Sequence, residues 1–377
     1  MADEQVEVGA RLTVLVVFGG RSAEHEISLV SARFVIDSLD PARYRAILCG
    51  IDKAGRWRHL EPSQLPSSKD PRQVGVDAAA PLAWLLPMPP AEGERHLLHV
   101  EGREPEPIDV VFPVLHGPYG EDGCLQGLLE LASLPYVGSG VAASAVGMDK
   151  LHQKRVFAHA ELPLVPWVSL TRAELERDRA AVLERAATLG FPCFVKPANM
   201  GSSVGVSKVR SPEGLEAAIV QALAYDTTVV IEQGLEAPRE VELAVLGNDE
   251  PIVSGAGEIA VRHADGFYSY EAKYLDPEGA VLLVPAELRP AELASLQILA
   301  LQAYRVLGCS GLARIDLFVC ASDVYVNEVN TLPGFTAVSM FPRLWQASGI
   351  DGKTLVTRLI ELAFARHAER ARLATTS

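Results

Sequence analysis

The run ARIDLFVCASDVYVNEVNTLPG, residues 313–334, constrains this chain more than any other stretch. Apolar residues dominate it, yet Arg314, Asp316, Glu328 and Asn330 interrupt it in pairs two residues apart. Side chains alternate faces along a strand, and the run reads as two strands joined at Ala321–Asp323. On the first, Arg314 and Asp316 share one face, while Ala313, Ile315, Leu317 and Val319 share the other. On the second, Glu328 and Asn330 share a face with Val324 and Val326. Pairing in register brings Asp316, Glu328 and Asn330 to one side, with Arg314 beside them. Three hard oxygen donors suit Mg²⁺, which completes its shell with phosphate and water. A polar outer face on a half-exposed sheet accounts for the same alternation. Against that, acids inside an apolar segment need partners.

The chain has 377 residues, enough for two or three domains. Near its start, RLTVLVVFGG reads as a buried parallel strand ending in a glycine turn. The helix-spaced EISLVSARFVIDSL, the strand YRAILCGI, the strand IDVVFPVLHG and the helix CLQGLLELA follow. This strand–helix–strand order predicts an open α/β sheet, with ligands at the carboxyl ends of its strands. Two glycine-rich segments, GGRSAEHE and LHGPYGEDG, leave strands at that edge. A second unit spans about 139–233, with MDKLHQKRVFAHA as a helix. TRAELERDRAAVLERAATLG reads as a single helix with a Thr171/Glu174 capping box and Gly190 beyond its end. The third unit is β-rich, with two long helices. Residues 1–10 read as a disordered tail, and 61–107 as a Pro-rich polar stretch.

A net charge of −14 argues against a nucleic-acid surface, which needs clustered Lys and Arg. Five scattered cysteines without a CxxC pair fit reduced thiols better than disulfides or zinc. The acidic N-terminus lacks the apolar region of a signal peptide. No apolar run reaches membrane-spanning length. The expectation is a cytoplasmic chain that engages neither membrane nor nucleic acid.

Other residues invite two readings each. Lys150 opens a helix, and Lys196 breaks the apolar strand FVKP; each either reaches an anion or snorkels to solvent. NMGSSVG can turn backbone N–H groups and Ser hydroxyls toward a phosphate, or be a simple hairpin. Glu232 and Glu240, at strand ends, can accept adenine amino or ribose hydroxyl protons, or be surface charge. Glu24 and His116 lie in the two glycine-rich loops; Glu24 can pair with an ammonium, and His116 can equally cap backbone. EAKYLD, with Lys273 and Tyr274, reads alone as a surface loop. No GxxxxGK[ST], GxSxG or HExxH occurs, and GGRSAE lacks the full GxGxxG.

Together, GGRSAEHEISL, LHGPYGEDG, VGSGVAASAVGMDK, FVKPANMGSSVGVSKV, EAKYLD, GLARIDLF and NEVNTLPGFTAVSM follow one order and spacing. That order resembles the D-alanine–D-alanine ligases of the ATP-grasp superfamily, from about residue 12 to 365. The resemblance implies an α/β ATP-grasp fold of three domains, at 1–138, 139–233 and 234–377, with a lid at about 257–276. It implies D-alanine and ATP as substrates, two Mg²⁺ or Mn²⁺ ions, a monovalent cation, and a homodimer. Lys150, Lys196, Ser203 and Lys273 match phosphate contacts, and Glu232 and Glu240 match adenine and ribose contacts. Asp316, Glu328 and Asn330 match the metal ligands. Glu24 looks like the partner of the first D-alanine's ammonium, with His116 beside it. Arg314 and the Gly334 N–H look like oxyanion donors, and Ser339 like a ligand of the second carboxylate. Ser202 and Tyr274 match residues that bond with Glu24 across the domains. Relatives that make D-alanyl-D-lactate lack the tyrosine of EAKYLD. His25, Gln233 and the long 61–107 stretch depart from the family pattern.

Overall fold

The structure, a computed structural model, describes residues 11–65, 74–262, 279–321 and 323–374. The first sheet contains β1 (Leu12–Gly19), β2 (Tyr44–Ile51), β3 (Trp57–Leu60) and β7 (Val110–Pro113) in the order β3-β2-β1-β7. The β2, β1 and β7 strands run parallel, and β3 is antiparallel at the edge. Val14 to Phe18 are wholly buried, as a central strand covered on both faces requires. Gly19 ends β1 at φ +88°, where an added Cβ would lie 2.3 Å from the Ile51 carbonyl oxygen. Only glycine turns the chain there, and it delivers the GGRSAEHE loop to helix α1 (His25–Ser38).

The Pro-rich stretch folds where it is described. Strands β4 (Ala83–Leu85), β5 (His96–Val100) and β6 (Glu106–Ile108) form a small antiparallel sheet. Its buried face (Ala83, Leu85, Leu98 and Val100) joins the core under β1 and β2.

Helices α2 (Cys124–Leu131), α3 (Val141–Met148) and α4 (Lys150–His159) lead to a second sheet. It contains β8 (Trp167–Thr171), β9 (Cys193–Pro197), β10 (Ser207–Val209) and β11 (Thr228–Gln233) in the order β10-β9-β11-β8. Two helices, α5 (Arg172–Arg177) and α6 (Arg179–Ala187), replace the single helix expected at 171–190. The capping box at Thr171 forms, but Asp178 leaves the helix at φ −148°, and its carboxylate accepts the Ala181 N–H. Asp prefers this capping role to a helix interior. Helix α7 (Leu215–Ala222) covers the sheet.

The third sheet is antiparallel: β12 (Arg239–Gly247), β13 (Ile252–Val261), β14 (Ala280–Leu283), β15 (Gly311–Cys320) and β16 (Asp323–Asn330), in the order β14-β13-β12-β15-β16. Residues 257–261, the start of the expected lid, are paired strand in β13. The hairpin expected at 313–330 is present, with one correction. Asp316 pairs with Glu328 but Leu317 pairs with Val326, so Asn327 is an extra residue in a β-bulge. Val326 therefore turns to the core with Ile315 and Leu317, and does not share Glu328's face. Helices α8 (Pro290–Val306), α9 (Met340–Ala347) and α10 (Gly352–Arg370) complete the chain. Leu355, Leu359 and Trp345 of the last two helices share one apolar cluster with Val14, Val16 and Phe112, so segments 1–138 and 234–377 have a common core. Among the described residues no helix is long and apolar enough to cross a membrane.

Candidate active site

A cleft of about 1220 Å³ opens between the loops of the first sheet, the 199–205 loop and the third sheet. Glu24, His116, Lys150 and Ser202 line one side of it. Arg314, Glu328, Asn330, Gly334 and Ser339 line the other. Sequence reasoning named all nine. Lys196, Ser203, Glu232, Glu240 and Asp316 lie outside its lining. Lys273, Tyr274 and the remainder of the expected lid lie outside the described residues.

At the β15–β16 floor, Arg314 stands opposite Asn330, and Asp316 opposite Glu328. Arg314 grips Asp316 with two bonds, Nε to Oδ1 and Nη2 to Oδ2, both 2.7 Å. Its Nε is also 3.1 Å from Glu242 Oε2, on the strand that pairs Glu242 with Asp316. Burial works against the guanidinium's charge, but Asp316 and Glu242 outweigh it and raise Arg314 well above its ordinary value. Lys150 Nζ donates to the Met200 carbonyl at 2.7 Å and lies 3.6 Å from Glu328 Oε2. Among the described residues no three His, Cys, Asp or Glu side chains cluster as a metal site. The set here is two carboxylates and an amide, and it fits an ion that takes few protein ligands and completes its shell with phosphate.

The opposite wall is built around Glu24. Ser202 Oγ donates to Glu24 Oε1, joining the 199–205 loop to the loop after β1. Ser202 and Ser203 both hold positive φ, +51° and +60°. Gly201 packs so tightly that an added Cβ would lie 2.9 Å from Glu24 Oε2 and 3.9 Å from Glu121 Oε1. Glu121, which sequence reasoning passed over, is buried and accepts the Gly117 N–H at 2.7 Å. Burial, reinforced by Glu24's charge, pushes its carboxyl up to about 8. His116 is fixed by its neighbours: Nδ1 donates to the Leu332 carbonyl and Nε2 accepts from Ser31 Oγ, each at 3.2 Å. Burial lowers its proton affinity, against the pull of the Glu24 charge. Ser339, at the N-terminus of α9, accepts the Thr336 N–H at 3.1 Å; an added Cβ at Gly334 would lie 3.1 Å from the same Oγ.

On the second sheet, Glu232 is held by two lysines. Its carboxylate is buried and already engaged, Oε2 with Lys196 Nζ at 2.8 Å and Oε1 with Lys154 Nζ at 2.9 Å. Burial alone would raise this carboxyl; Lys154 and Lys196 overcome it and hold it at about 2. Glu240 sits on β12 opposite Phe318 and Ile259, and its charge helps to raise Lys196. Glu242 and Lys154 complete the residues that sequence reasoning missed. Each carried a signal: Glu242 shares Glu240's strand face, and Lys154 shares Lys150's helix face four residues on.

Family comparison agrees with this geometry. Residues 13–139 match the D-ala D-ala ligase N-terminus, and 156–361 match the D-ala D-ala ligase C-terminus. D-alanine–D-alanine ligase A of Escherichia coli K12 is 47% identical over 369 residues, covering 97% of this chain and 99% of the relative. D-alanine–D-alanine ligase of Heliobacterium modesticaldum is 45% identical over 366 residues, covering 96% and 97%. The solved D-alanine–D-alanine ligase of Coxiella burnetii superposes with a TM-score of 0.82 at 34% identity, covering 96% of each chain. A D-Ala:D-Ser ligase of Enterococcus faecalis reaches 0.81 at 34% identity, covering 94% of this chain and all of that one. Full-length similarity and a cleft faced with the expected cations, acids and serines lead to one conclusion: the chain belongs to the D-alanine–D-alanine ligase family.

Proposed function

We propose that this chain joins two D-alanines into D-alanyl-D-alanine, a peptidoglycan precursor, using ATP and releasing ADP and phosphate through a D-alanyl phosphate. The observation that carries the reading is the cleft itself, which Glu24, Lys150, Arg314 and Gly334 line together. A free carboxylate does not acylate an amine, because oxide is a poor leaving group. In the first step a carboxylate oxygen of the first D-alanine bonds to the γ-phosphorus, and the bond to the ADP oxygen breaks. In the second, the amine of the other D-alanine bonds to the acyl carbon, the carbon–oxygen bond to phosphate breaks, and the amine gives up a proton.

Each residue has a role of known physical type. Glu24, steadied by Ser202, takes the first ammonium, and His116 lies beside that site. Lys150 and Lys196, with Ser203, neutralise phosphate charge, since phosphoryl transfer depends mainly on positioning and charge. Glu240 takes the ribose, and the backbone at Glu232 takes the adenine. Arg314 and the Gly334 N–H meet the tetrahedral oxyanion, and Ser339 the second carboxylate. Asp316, Glu328 and Asn330 would hold Mg²⁺, which when bound draws charge off the phosphates. Tyr274 and Lys273 close over the site from the lid, keeping water from the acyl phosphate. Three domains, with ATP between the second and third, and pairing of two chains complete the reading.

One experiment decides it. Purified protein, ATP and Mg²⁺ are supplied with D-alanine alone or with D-serine or D-lactate as acceptor, with ADP release and product mass recorded. D-alanyl-D-alanine as the dominant product near neutral pH is expected. A dominant D-alanyl-D-serine or depsipeptide overturns the acceptor, and no ADP release with any of them overturns the reaction. The D-serine arm is included because a D-Ala:D-Ser ligase superposes almost as well as a D-Ala-D-Ala ligase.

A further inference from the structure

Helix α4 carries two lysines on one face, a turn apart. Lys150, at its start, serves the cleft. Lys154 does not reach it: the side chain is 2% exposed, and its ammonium ends 2.9 Å from Glu232 Oε1. A lysine so buried pays heavily in lost hydration and side-chain entropy, so its partner must matter. That partner's other oxygen bonds Lys196 at 2.8 Å. The residue beside Lys154 anchors the same helix to the third sheet. Gln153 Nε2 donates to the Val329 carbonyl at 3.1 Å, and Gln153 Oε1 accepts the Val329 N–H at 3.0 Å. Neighbouring side chains thus tie α4 to β11 on one side and β16 on the other. Asp149 caps the helix, its carboxylate accepting the His152 N–H at 2.9 Å.

We infer that Lys154 is a positioning residue for the nucleotide phosphates, acting through Glu232 to aim Lys196. An ammonium has three donors that rotate freely. Glu232 takes one from Lys196 and thereby directs the other two. A carboxylate held by one lysine can pivot about that bond; held at both oxygens, it cannot. Lys154 removes the pivot without touching the ligand. This inference rests on the nucleotide site proposed above, and deepens it.

The test is equilibrium binding of adenosine, AMP, ADP and ATP, the last two with Mg²⁺, by calorimetry on wild type and four variants. Lys154→Met is expected to weaken ATP and ADP at least about tenfold, the scale of one hydrogen bond to a charged group, and to leave adenosine unchanged. Lys154→Arg, which keeps a cation beside Glu232, recovers most of the loss. Adding Lys154→Met to Glu232→Gln costs little more than Glu232→Gln alone, because the two act in series. Uniform weakening of all four ligands, or additive losses in the double variant, would mean that Lys154 only supports the fold. Unchanged ATP affinity in a folded Lys154→Met protein overturns the inference directly. If Lys154→Met does not fold, Lys154→Gln takes its place: ATP weakened no more than adenosine refutes the positioning role. Wild type that binds neither ATP nor ADP overturns the nucleotide site instead, which keeps the two failures distinct.

Discussion

Removing Arg314 is the most demanding perturbation of this site. The guanidinium holds Asp316 through two 2.7 Å bonds and faces Glu242 at 3.1 Å. Asp316 and Glu242 stand opposite each other across β12–β15, so Arg314→Ala leaves two neighbouring acids without the cation between them. Breaking a buried pair by deleting one partner costs about 3–5 kcal/mol. The Arg314 side chain keeps 17% of its exposure, which puts the expected loss toward the lower end, about 3 kcal/mol. Catalysis loses a separate quantity. One oxyanion donor supplies about 2.7–4 kcal/mol of barrier lowering, or roughly 10²–10³ in kcat. Arg314→Lys separates the two effects. It restores a cation between the acids and so much of the stability, but it cannot reproduce the two-pronged grip or its direction. ADP release under saturating substrates and thermal melting of all three proteins provide the measurements. An Arg314→Ala protein that is folded and turns over within about tenfold of wild type would refute the oxyanion role.

Three further outcomes follow from the geometry. Glu121 sits at about 8 in the folded protein against an ordinary 4.5, so the folded state keeps a proton that the unfolded chain has released between those values. Its contribution is fully present below the lower value and is lost as pH rises through the upper one, by up to about 1.4 kcal/mol per unit. Denaturant titrations at stepped pH should therefore show wild type losing ground to Glu121→Gln between about pH 5 and pH 8; parallel curves would count against it. Gly201→Ala puts a methyl 2.9 Å from Glu24 Oε2 and should raise KM for D-alanine about tenfold with little change in melting temperature. An unchanged KM would mean that Glu24 does not meet substrate. Chelation should abolish ADP release, and added Mg²⁺ or Mn²⁺ should restore it; Asn330→Ala should shift the metal concentration needed for half-maximal rate upward.

The parts of this site legible in sequence were those set by local periodicity. Alternation along residues 313–330 was enough to put Arg314, Asp316, Glu328 and Asn330 on one side of a hairpin. Alternation cannot announce a bulge, because Asn327 looks like any other strand residue, and Val324 and Val326 were placed on the wrong face for that reason. Residues 171–190 fit one helical period throughout, yet Asp178 caps a second helix, a choice between two local bonds that periodicity does not weigh. Lys154 was hidden because its partner lies on a distant strand, and periodicity does not show which tertiary neighbours will reach a carboxylate such as Glu232. The small sheet in 81–108 escaped notice because its strands are three to five residues long and separated by Pro-rich turns.

The core shared by the first sheet and the last helices has a bearing on biosynthesis. Val14, Val16 and Phe112 are sealed in part by Leu355, Val356 and Leu359, which lie near the other end of the chain. Contacts of such sequence separation form late, because closure entropy must be met before they contribute. A nascent chain can align β1, β2 and β7 early, but it cannot cover that flank until α10 has left the ribosome. Until then the most apolar strands in the protein present an open surface to whatever chaperone or neighbouring chain arrives first.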